Sequence, residues 1–127
     1  MRQIAGAVLV GMIFMVASGF REKPEASLDG RWFGEYQVQS GNVDFEVRFW
    51  TEEGQLKGSI DIPHEGIFEA ELAWIMIDST SIHFELVSGG TTRVFDGQMR
   101  ENQLQGLYLN NQEKGSFSMS RGGLVSQ

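Results

Sequence analysis

Residues Val43-Asp44-Phe45-Glu46-Val47-Arg48-Phe49 alternate strictly, apolar at odd positions and charged at even ones. A side-chain period of two belongs to a strand with one face on a core and the other in water. The same reading puts Trp32, Gly34, Tyr36 and Val38 on one face of a first strand, and Leu56, Gly58, Ile60 and Ile62 on one face of another. Ile82, Phe84 and Leu86 point inward, with Ser81, His83 and Glu85 outward. Phe95, Gly97 and Met99, then Leu104, Gly106 and Tyr108, then Phe117 and Met119 continue the pattern, and helical periodicity is nearly absent from Asp29 onward.

Between these runs lie Ser40-Gly41-Asn42, Glu52-Glu53-Gly54, Asp78-Ser79-Thr80, Ser88-Gly89-Gly90, Arg100-Glu101-Asn102 and the stretch from Asn110 to Gly115. Such tight polar connections suit hairpins, so consecutive strands are expected to pair antiparallel as a meander. About eight strands result if the stretch from Ile67 to Ile77 contributes one, enough to close on itself. The predicted fold is all-β, an antiparallel meander closing into a small barrel; a two-sheet β-sandwich is the alternative. The segment from Ile67 to Leu72 reads equally as a strand, a short helix or an irregular cover.

Inward glycines at 34, 58, 97 and 106 stand among large rings, Trp32, Tyr36, Phe45, Phe49, Phe84, Phe95 and Tyr108. Small beside large is how a narrow barrel is filled. Glu53-Gly54-Gln55-Leu56-Lys57-Gly58 resembles Glu101-Asn102-Gln103-Leu104-Gln105-Gly106. This is the sign of a hairpin solution used twice.

Met1-Arg2-Gln3, an apolar run from Ile4 to Val16 and the small residues Ala17-Ser18-Gly19 form a helical secretory signal peptide over 1–19. The run is shorter than the ~20 residues of a spanning helix, so no stable membrane span is expected after leader cleavage. An uncleaved anchor would likewise leave the domain outside the cytoplasm. Residues 20–28, with Pro24, read as a flexible lead-in, 29–121 as the barrel domain and 122–127 as a disordered tail. The expected location is periplasmic or secreted.

The chain has no cysteine, which excludes disulfides, thiolate metal sites, a cysteine nucleophile and a lipid anchor on cysteine. Its formal net charge of -7 argues against nucleic acid and anionic membranes as partners. Pro63-His64-Glu65-Gly66 could relay protons or hold a metal, but a zinc helix motif needs a second histidine where Phe68 stands. It reads as a polar turn closing over the barrel. Ser116, Ser118 and Ser120 alternate with Phe117 and Met119 as surface residues, and Asp44, Glu46, Asp61 and Glu85 fall on solvent faces. No catalytic residue, metal or cofactor is expected, and the chain reads as a non-enzymatic protein.

Gly30-Arg31-Trp32-Phe33-Gly34, with Arg121 closing the last strand, resembles the calycin pattern shared by lipocalins. That resemblance implies Trp32 lying under Arg121, a cation on an indole face with guanidinium donors capping backbone carbonyls. The order of these motifs with Ile62-Pro63-His64-Glu65-Gly66, Phe95-Asp96-Gly97, Leu104-Gln105-Gly106 and Ser120-Arg121 is similar to a lipocalin-like domain often found ahead of bacterial serine hydrolases, here expected to stand alone. Asn110 and Tyr108 stand where that domain has a glutamine and a tryptophan.

Two functions follow as expectations. One is a binding module taking a small apolar ligand within or at the mouth of the barrel, lined by Trp32, Tyr36, Phe49, Phe84, Phe95 and Tyr108. The other is a protein-interaction or structural domain with a solid core, meeting a protein partner through its outer surface at Trp50 and Trp74.

Overall fold

A computed structural model describes residues 27–122. The expected leader at 1–19, most of the lead-in and residues 123–127 lie outside the described residues. Within them run β1 (Gly30–Val38), β2 (Gly41–Glu52), β3 (Gln55–Ile62), a 3-10 turn (Pro63–Glu65), β4 (Ile67–Glu71), β5 (Trp74–Asp78), β6 (Ser81–Ser88), β7 (Thr91–Arg100), β8 (Gln103–Leu109) and β9 (Lys114–Arg121).

All nine strands belong to one antiparallel sheet, ordered β4, β3, β2, β1, β9, β8, β7, β6, β5. Two meanders, β1 to β4 and β5 to β9, are joined by the pairing of the first strand with the last. The sheet curls around its apolar face. Phe45 on β2 and Phe95 on β7 are four strands apart, which in a flat sheet means about 19 Å. Their ring centroids are 5.2 Å apart. Phe49 on β2 and Phe84 on β6, five strands apart, stand at 5.6 Å.

Nine strands replace the expected eight because the segment from Ile67 to Ile77 supplies two, broken at Leu72-Ala73. The break crosses the open side of the roll: the Leu72 N–H donates to the Gly58 carbonyl on β3, and the Ala73 N–H to the Glu85 carbonyl on β6. The expected closure is therefore incomplete, since β4 and β5 are the two ends of the sheet and no ladder joins them. The register of β4 on β3 shifts between Ile60 and Ile62, with Glu69 at φ 48°, and the pairing ends at Ser59 and Glu71. The beginning of β3, Gln55 to Lys57, is left with β2 alone as its partner.

The alternation read from sequence is the burial pattern. Val43, Phe45, Val47 and Phe49 are buried while Asp44 and Arg48 face water. Leu28, assigned by sequence to a flexible lead-in, is a core residue at 1% exposure. Each such side chain contributes roughly 1.5–3 kcal/mol through burial. Both copies of the repeated hexapeptide open a strand from a hairpin, with Glu53 and Glu101 at φ 53° and 60°. Their last glycines make room: a Cβ on Gly58 would meet Leu72 and Phe49, and one on Gly106 would run into Asp96 and Gly97 of β7.

Because that space is taken by backbone, Gly106→Ala is expected to lower the unfolding free energy by about 1–3 kcal/mol in urea titrations. Ser118→Ala on the exposed face of β9 should change it by less than about 0.5 kcal/mol.

Candidate functional site

One end of the roll is sealed by the expected contact between Trp32 and Arg121. The two residues are partners in the β1–β9 register, and the guanidinium lies 4.5 Å from the indole centroid. Arg121 Nη1 donates to the Asp29 carbonyl at 2.7 Å, Nη2 to the Ser27 carbonyl at 2.9 Å and Nε to Asn102 Oδ1 at 3.2 Å. The indole Nε1–H donates to the Leu28 carbonyl at 2.9 Å. The segment entering β1 is thus pinned to the end of β9, with each guanidinium nitrogen and the indole N–H engaged.

Trp32, Tyr36, Phe49, Phe84, Phe95 and Tyr108, the expected interior lining, are all buried. They fill the interior with one another. Tyr36 and Tyr108 stack at 3.8 Å and 8°, Phe84 and Phe95 at 4.7 Å and 10°, and Phe95 meets Tyr108 edge-on at 5.1 Å. Such ring pairs add about 0.5–1.5 kcal/mol each beyond area burial.

The opposite end is polar. Stepping back two residues from inward Phe95 reaches Arg93, whose side chain enters the barrel beneath the 3-10 turn. Arg93 is not among the expected site residues, although the alternation that places Phe95 inward places Arg93 inward too. Its side chain is 10% exposed, and its ion pair is a long one, Nη2 to Glu65 Oε1 at 3.4 Å. Nε and Nη1 are buried without a partner among the described residues. Leaving a buried donor unpaired costs about 1–3 kcal/mol, and more where it carries charge.

The Tyr36 hydroxyl shares this environment. Burial above all holds the Tyr36 hydroxyl well above the usual tyrosine range; the Tyr108 hydroxyl and the Glu65 charge act in the same direction, and Arg93 opposes them. Asn110 Nδ2 donates to the Tyr108 hydroxyl at 3.0 Å, while Asn110 Oδ1 accepts the N–H groups of Gln112 and Glu113. The turn after β8 and the buried tyrosines are therefore one network.

A third feature lies at the open seam. Trp74 is 55% exposed on edge strand β5, with Met76 and Ile77 exposed beyond it. A groove of about 540 Å³ runs between the free stretch of β3 and β5, lined by Leu56, Lys57, Leu72, Trp74, Ile75 and Ile77 among others. Trp50 points outward at 36% exposure, and its partner across β2 and β3 is Lys57. Of the two expected surface tryptophans, Trp74 lines this groove, whereas Trp50 stands one strand back, paired with Lys57. A larger concavity, about 930 Å³, lies on the outer face of β7, β8, β9 and β1 and is lined mainly by glutamines, serines and Leu107.

The remaining candidates stand apart. His83 Nε2 contacts Glu85 Oε2 at 2.7 Å on its own strand, with Asp96 across β7 at 3.6 Å from Nδ1. His64 lies exposed on the turn. No group of three metal-ligating side chains occurs among the described residues, and no helix among them is long and apolar enough to cross a membrane. No protein-family model matches this chain, and no curated protein matches it.

Tyr36 ties stability to alkaline pH. Its folded pKa is raised, so the unfolded chain gives up this proton first. The stabilisation is present in full below about pH 10 and drains as pH rises toward the folded value. Urea titrations at about pH 8 and about pH 11 should show a loss for the natural chain that Tyr36→Phe makes smaller. At the sealed end, Arg121→Lys keeps the charge but not the planar fork, and is expected to cost about 1–3 kcal/mol in the same titration at neutral pH.

Proposed function

We propose that this protein is an exported, non-enzymatic interaction domain with a solid aromatic core, which receives an extended segment of a protein partner in the seam between β3 and β5. The observation that carries the reading is the pair of free strand edges facing one groove. Among the described residues, β5 pairs only with β6, and Gln55 to Lys57 pair only with β2. Unpaired edges offer rows of N–H and C=O groups to an added strand, which supplies affinity through the backbone. Trp74, Ile75 and Ile77 on one side and Leu56 on the other supply apolar contacts for an added strand. Indoles at such a position are the residue type that most often dominates binding energy.

The filled interior supports this reading over a guest within the barrel, because an apolar ligand there would have to displace stacked rings. The Trp32 to Arg121 contact supports the calycin resemblance, and the leader-like amino terminus supports export.

The reading is tested by selecting extended peptides of about eight residues from a displayed library against the domain and mapping them by amide chemical shifts. Shifts should gather on residues 54–57 and 74–78. Replacing Trp50 and Trp74 together by serine should weaken the selected peptides about tenfold or more, without lowering the melting temperature. Peptides that bind the double variant equally well, or that shift residues away from the seam, defeat the proposal.

A further inference from the structure

Arg93 is the one charged residue among the buried side chains described, and two of its three nitrogens are unpartnered among the described residues. A guanidinium presents a planar fork that matches a carboxylate through two parallel hydrogen bonds. Here the carboxylate on offer belongs to Glu65, which touches a single nitrogen at the long distance of 3.4 Å. Glu65 sits on a three-residue turn that contributes no buried residue, and Gly66 ends that turn at φ 73°. The Glu65 side chain is 36% exposed. It can leave Arg93 without taking any of the core with it.

We propose that this end of the barrel is a binding site for a small carboxylic acid in its anionic form, whose carboxylate takes the place on Arg93 that the Glu65 side chain now holds. The charge on Arg93 selects an anion, and its single fork selects a planar monoanion over a phosphate carrying more charge than one guanidinium balances. Size follows from packing. The unpartnered nitrogens have almost no accessible surface, so the space for a ligand is the space Glu65 vacates: two methylenes and a carboxylate. That is the outline of propionate. The Tyr36 hydroxyl lies near enough to feel both Arg93 and Glu65, so the ligand's carboxylate would replace that of Glu65 beside a buried tyrosine, itself stacked on Tyr108. This site lies apart from the β3–β5 seam and does not depend on how that seam is used.

The probe is sodium propionate, titrated into the domain and followed by amide shifts and by melting temperature. Propionate should raise the melting temperature of the natural chain, while sodium chloride and 1-propanol at equal concentration should not. Glu65→Ala removes the internal competitor, so it should bind propionate about tenfold more tightly. Arg93→Met should abolish the response. If that variant does not fold, Arg93→Lys decides, with a weakening of about tenfold expected from loss of the fork at constant charge. Trp74→Ser should leave the affinity unchanged, which separates this result from the fate of the seam reading. Equal affinity in Glu65→Ala and the natural chain, undiminished binding in the variant that decides, or no response in either the natural chain or Glu65→Ala would overturn the proposal and leave Glu65 as an internal partner of Arg93.

Discussion

The ladder between β1 and β9 holds the molecule together. It joins Trp32 to Arg121 at one end and Gln37 to Ser116 at the other, and among the described residues it is the only strand pairing between the four strands of the first meander and the five of the second. Either half alone would carry a bare apolar face, a two-sided problem that neither can solve by curling. Closing a chain over so many residues costs entropy, but that cost grows only with the logarithm of length. Arg121 fastens the closure by spending its guanidinium on the carbonyls of Ser27 and Asp29 and on the Trp32 face.

Once that ladder forms, the sheet must curl, and its curl is set by what fits inside. Gly97 and Gly106 face each other across β7 and β8, which lets the strands and the ring of Phe117 come close. The rings of β2 then reach those of β6 and β7 across the interior. A core this filled leaves two places where the physics is unfinished. One is the seam, where the sheet ends before its edges meet. The other is Arg93, a charge kept in a low-dielectric interior with incomplete pairing. Both sit at the periphery of the aromatic cluster, where change costs the fold least.

Much of this was present in the sequence. Period-two alternation is a local property, so strand faces from Val43 to Phe49 and from Ile82 to Leu86 could be assigned from neighbours alone. The hairpins were readable because turns are local too, and the repeated hexapeptide at Glu53 and Glu101 marks the same backbone solution twice. The outward placement of Trp50 follows from the same counting. The pairing of Trp32 with Arg121 came instead from a motif resemblance, since nothing local links residues so far apart.

What alternation by itself determined was which side of each strand faces the core; what the tertiary structure decided was where the sheet stops. Leu72 and Ala73 carry no turn signal, and they break the segment because the first bonds to β3 and the second to β6, two strands that only the curl brings near. Arg93 escaped for the complementary reason. Its position in the alternation is inward, but a charged residue is read as solvent-facing until the fold shows a carboxylate and two tyrosines converging there. Faces are set by the nearest neighbours in the chain, whereas edges and buried charges are set by partners that arrive from elsewhere in it.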